Sequence, residues 1–140
     1  MYLSEFPIDS GLKRNSQYKL VKKLISGLKK CGYDIVRFSG FDGPEFVKDG
    51  YECIDRMIEE SHCLLAIVDI YWTCSTWMAH EVTHAGNHGQ IPVFLYYIPD
   101  DYYCLFPREY REPKTYTLPK EISSAIRFIN TVMENECCIK

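Results

Sequence analysis

His80, Glu81 and His84 fall in one five-residue stretch, HEVTH, and these are the residues of the chain whose types and spacing most directly suggest chemistry. Two histidines one helical turn apart can share a zinc ion, and a glutamate directly after the first can act as base on a metal-bound water. Such a centre needs a third protein ligand. In the extended form of the motif a glycine stands three residues, and a histidine six residues, after the second histidine. Here Gly86 follows His84 by two and His88 by four. Glu109 or Glu112 could serve as the third ligand, but nothing in their surroundings marks them as one. The expectation is therefore that Glu81 works without a metal, and that neither folding nor activity requires one.

The elements that must position Glu81 are legible on both sides of it. Cys63 to Val68 and Ile91 to Ile98 are short apolar runs, long enough for buried strands and too short for stable helices. Between them, Ser75 or Thr76 offers an N-cap oxygen. Trp77, Met78, Val82 and Ala85 then form an apolar stripe that Gly86 and Gly89 bring to an end. Glu81 follows Trp77 by four residues, so the carboxylate and the ring share one face of this helix. A strand feeding a helix that feeds a second strand is a βαβ unit. Ligands in such sheets bind beyond the carboxyl ends of the strands, which here means Asp69 to Thr76.

The same alternation runs along the whole chain. Tyr2, Leu3 and Phe6 make a first strand that enters the polar loop Asp9-Ser10-Gly11. Tyr18, Val21, Leu24, Ile25 and Leu28 recur at three and four, which predicts a helix from Asn15 to Lys30 ended by Gly32. Tyr33 to Phe38 reads as strand two, and Tyr51, Ile54, Met57 and Ile58 define a helix reaching about Ser61. After the central unit, Pro99 to Pro119 is irregular, with a short strand at Thr115 to Leu118. Lys120 to Asn135 closes the chain as a helix with Ile122, Ile126, Ile129 and Met133 inward. This order predicts an α/β domain, residues 1–140 as one unit, with a mostly parallel sheet of four or five strands and helices on both faces.

Composition narrows the function classes. The 140 residues are 46% hydrophobic and carry a formal net charge of -3, with no basic run interleaved with aromatics, so nucleic acid and anionic membranes are not expected partners. The seven cysteines include no CxxC pair, which fits reduced thiols in a cytoplasmic protein better than a disulfide framework. No apolar run has transmembrane length, and the N-terminus has no basic region followed by an apolar one, so no secretion signal is expected.

The segment Ser75-Thr76-Trp77-Met78-Ala79-His80-Glu81-Val82 resembles the motif of TIR domains, in which a serine, a tryptophan and then a glutamate open the third helix. The similarity extends through Lys48-Asp49-Gly50, Ile58-Glu59-Glu60-Ser61 and Leu64 to Val68, with Tyr71 where TIR domains often carry an aromatic, and covers roughly residues 1 to 98. The resemblance implies a flavodoxin-like three-layer sandwich. It also implies an enzyme that cleaves the nicotinamide–ribose bond of NAD with Glu81 as catalytic residue and Ser75 and Trp77 in the substrate site. NAD would be substrate, with no cofactor. Such domains work as self-associated assemblies, in bacteria and archaea within antiviral defence, and some are interaction modules without catalysis. Met78 replaces the usual cysteine, and Asp69 stands where TIR domains commonly have serine. The Asp69 departure is similar to the nucleoside 2-deoxyribosyltransferases, which share the fold and pair a strand aspartate with a helix glutamate. Their aspartate-glycine before the catalytic helix is replaced here by Cys74-Ser75.

Both resemblances imply the same chemistry. Breaking an N-glycosidic bond builds positive charge on the ribose, which a carboxylate can stabilise, attack, or position through a hydroxyl. A base needs a stacking surface, and Phe6, Phe41, Tyr71 and Trp72 are the aromatic candidates on loops near the strand ends. The plain alternative is that Glu81 is a dipole-compatible surface residue in the first turns of its helix and Trp77 a core residue.

Overall fold

The computed structural model describes residues 1–4, 17–37, 46–68, 76–86, 90–98 and 114–138, with side chains at all of these except 17–18, 46–49, 76–78 and 137–138. Its elements are β1 (Tyr2–Ser4), α1 (Gln17–Lys30), α2 (Phe46–Glu59), β2 (Leu64–Val68), α3 (Thr76–His84), β3 (Val93–Tyr97), β4 (Thr115–Thr117) and α4 (Ile122–Cys138). The strands form one sheet in the order β1-β2-β3-β4, and every pairing is parallel. The short strand expected near Thr115 is thus present as β4. Of the expected strand two, Val36 is the paired residue among the described ones, bridging to Tyr2 on the open side of β1. Leu3 N–H donates to Val36 O over 2.8 Å, and Val36 N–H donates to Met1 O over 3.0 Å. Tyr33 and Ile35 are spent on packing against the helix layer beneath, which leaves Val36, 40% exposed, to mark the sheet edge.

Strand parity explains the layers. Leu3, Leu65, Ile67, Phe94 and Tyr96 point to one face, where Val21, Leu24 and Leu28 of α1 meet Ala125 and Ile129 of α4. Tyr2, Leu64, Ala66, Val68, Val93 and Leu95 point to the other, against Ile54 and Ile58 of α2 and Val82 of α3. Residues on both faces of β2 and β3 are buried, which is why these strands read as unbroken apolar runs rather than alternating ones. The result is an α/β flavodoxin-like sandwich.

Helix α1 stops where its local chemistry dictates. Gly32 adopts φ 97°, Tyr33 N–H donates to Leu28 O over 3.1 Å, and Gly32 N–H donates to Lys29 O over 3.0 Å. This pair of bonds is the Schellman arrangement, satisfying carbonyls that the helix end would otherwise leave open. Tyr33 then donates its hydroxyl to Asn130 Oδ1 over 2.9 Å, tying the exit of α1 to α4.

The chain leaves β1 through α1 toward Val36 on one side, and returns through α2 to β2 on the other. The direction of winding therefore reverses at β1. In open parallel sheets a crevice forms at such a reversal, outside the carboxyl ends of the two strands that flank it.

Candidate functional site

Helix α3 begins at Thr76, and Val82 on its inner face, like Ala85 just past its end, is fully buried. Glu81 stands one residue before Val82 and is almost as deep, at 2% exposure. It lies over the carboxyl end of β1. Ser4, the last residue of that strand, is itself fully buried and donates its hydroxyl to Glu81 Oε1 over 3.2 Å. Tyr2, two residues earlier on the same face, brings its side chain close enough to the carboxylate to favour its charged form.

Burial and hydrogen bonding pull the Glu81 proton in opposite directions. Loss of water disfavours the carboxylate and dominates, while the Tyr2 and Ser4 side chains favour it, so the pKa is pushed up from 4.5 to about 7. A carboxyl group so placed exchanges its proton near neutrality. It is a chemically useful state, and one that a protein holds at a cost in stability.

Of the seven residues that sequence reasoning assigns to this site, Glu81 is the one with a described side chain. Phe6, Asp69, Tyr71, Trp72 and Ser75 lie outside the described residues, as do Phe41, Glu109 and Glu112, and the side chain of Trp77 is not described either. In sequence, Phe6 follows Ser4 by two residues and Asp69 directly follows Val68, the last residue of β2. The site residues that sequence reasoning missed are Tyr2 and Ser4. Ser4 carried a usable signal, being a polar residue that shares the inward parity of Tyr2 in a strand with both faces covered.

The histidines of the HEVTH stretch face elsewhere. His80 Nε2 lies 2.6 Å from Asp55 Oδ1, and His84 Nε2 lies 3.1 Å from Glu59 Oε1, both partners being on α2. The two rings stack at 5.8 Å between centroids, and Tyr51 sets its edge against His80 at 4.6 Å. Successive residues on a helix are turned by about 100°, so Glu81 reaches the sheet while its neighbour His80 reaches α2.

Cys31 is exposed, Cys53 half-buried and Cys63 buried, all three as free thiols, and burial pushes the Cys63 thiol up to about 11. A thiol so shielded is a packing residue and not a nucleophile. No helix among the described residues is long and apolar enough to cross a membrane.

No family model matches the chain, and no curated protein or solved structure does. The functional argument therefore rests on Glu81 and its surroundings.

Proposed function

We propose that the chain is a TIR-like NAD glycohydrolase in which Glu81 is the essential carboxylate. One observation carries the reading: a deeply buried glutamate, bonded to the hydroxyl of Ser4, at the carboxyl end of β1 where the winding of the sheet reverses. Parallel sheets of this kind take their ligands at that place. The match of Ser75, Trp77 and Glu81 to the TIR motif supports NAD as the ligand.

In the proposed reaction the bond between the ribose anomeric carbon and the nicotinamide nitrogen breaks with its electron pair going to nicotinamide, which leaves neutral. The ribose carries the positive charge. A carboxylate removed from water stabilises that charge more strongly than a solvated one, and it does so without reorganising. Water then adds to the anomeric carbon, giving ADP-ribose and a proton. Ser4 holds the Glu81 side chain in place, and Phe6, Tyr71 and Trp72 are the stacking candidates for the base.

The test is nicotinamide release followed by chromatography, at high protein concentration with a crowding agent to favour self-association. Wild type is expected to release nicotinamide, and Glu81→Gln, which keeps size and removes charge, is expected to lose about a hundredfold or more of the turnover. Asp69→Asn should leave NAD cleavage largely intact. If that change instead abolishes base release from deoxynucleosides, the deoxyribosyltransferase reading replaces this one. Absence of base release from NAD and from nucleosides, or full activity in Glu81→Gln, would leave Glu81 as a structural tie between α3 and β1 in an interaction module.

A further inference from the structure

We infer that Asp55, His80 and His84 form a binding site for a divalent transition-metal ion of the zinc class, on the surface where α2 meets α3 and apart from the Glu81 carboxylate. One ligand atom from each of these residues lies within 4.8 Å of the other two. Asp55 Oδ1 is 2.6 Å from His80 Nε2 and 3.6 Å from His84 Nδ1. In a tetrahedral zinc site, with bonds of about 2.0–2.2 Å, neighbouring ligand atoms stand about 3.4 Å apart. The present spacings bracket that value, so small rotations of the three side chains would bring them onto one ion.

The surroundings resemble those of a metal site in a second respect. If His84 ligates through Nδ1, its other ring nitrogen, Nε2, faces Glu59 Oε1 at 3.1 Å. A ligating histidine typically donates its remaining N–H to a carboxylate, which fixes the tautomer and the ring plane. Asp55 and Glu59 are one turn apart on α2, and His80 and His84 one turn apart on α3. Two helices thus present matched pairs across their seam, two carboxylates opposite two imidazoles. The His80 and Asp55 side chains are 33% and 29% exposed, enough for an ion to enter, while His84 at 10% anchors the inner end. Two imidazoles and a carboxylate are ligands of the borderline class that suits zinc, with the fourth position open to water. The third ligand comes from α2, far upstream of the HEVTH stretch.

Cobalt(II) titration of the full chain, stripped with chelator and held under a non-coordinating reductant, tests the site. One equivalent is expected to give the visible absorption of a four-coordinate nitrogen and oxygen site, without the near-ultraviolet band of thiolate-to-cobalt charge transfer. Zinc should displace it and raise the melting temperature. His80→Gln, His84→Gln and Asp55→Asn are each expected to weaken binding at least about tenfold, and Glu59→Gln about ten- to a hundredfold as an orienting residue. Glu81→Gln should bind as wild type does. Melting in chelator identifies any variant that no longer folds, and His80→Gln, at the exposed end of the set, stands as the deciding variant. Binding unchanged in His80→Gln, a thiolate band showing that cysteines hold the ion, or no spectral change with cobalt in excess would each overturn the assignment.

Discussion

At the scale of the residue, Glu81 carries both the proposed chemistry and a distinct thermodynamic signature. Its folded-state pKa lies at about 7, above the 4.5 of a free side chain, because burial outweighs the opposing influence of the Tyr2 and Ser4 side chains. As pH rises through the lower value the unfolded chain gives up this proton while the native protein keeps it. Stability therefore falls from about pH 4.5 to about pH 7 and then levels off. The full penalty is on the order of 3 kcal/mol. Glu81→Gln removes it, so the variant should gain on wild type as pH rises across this window. Melting curves of the two proteins in chelator, at about pH 4 and about pH 8, measure the effect. A stability difference that does not change with pH would show that Glu81 is not buried in its charged form. A substitution that abolishes turnover and stabilises the fold above neutrality is what a functional carboxylate placed against stability should produce.

At the scale of the element, the exit of α1 is a local device whose strength can be measured. Gly32 has φ 97° and is open to solvent, so an added methyl group meets no neighbour and the backbone conformation alone decides the outcome. Gly32→Ala is expected to destabilise by about 1 kcal/mol, read as a shift in the denaturant midpoint without a change in slope. An unchanged midpoint would mean that the Schellman bonds from Gly32 and Tyr33 are dispensable. Helix α3 differs in kind, since neighbouring residues on it serve different surfaces. Val82 and Ala85 pack on the sheet, Glu81 meets β1, and His80 and His84 meet α2. One short helix thus separates a proton-exchanging carboxylate from a pair of imidazoles by rotation about its axis.

At the scale of the whole molecule, the doubly wound order decides which chain ends meet. Ser4 and Glu81 are 77 positions apart in sequence, and they touch because β1 and β2 are neighbours across the reversal of winding. The metal site proposed between α2 and α3 lies outside this contact, which makes the two separable by experiment. Chelation is expected to lower the melting temperature of zinc-loaded protein while leaving nicotinamide release intact. Parallel loss of both would mean that the ion acts at Glu81 after all.

The sequence by itself determined the alternation of strands and helices, because each buried element writes its period into the chain. Val21, Leu24 and Leu28 announced α1, and the apolar runs at Cys63 to Val68 and Ile91 to Ile98 announced β2 and β3. It also singled out Glu81, through a motif whose spacing does not depend on tertiary contacts. Tyr51 was legible as part of a helical repeat, yet it stands 44% exposed with its ring against His80, a contact across helices that periodicity within one helix does not carry. Strand two was legible as a run from Tyr33 to Phe38, but edge pairing depends on what the neighbouring strand offers, and among the described residues β1 pairs with Val36. The meeting of Ser4 with Glu81, and of Asp55 with His80 and His84, belongs to the tertiary structure. Both join side chains from elements distant in sequence, and only the order of strands and the packing of α2 on α3 bring them within reach.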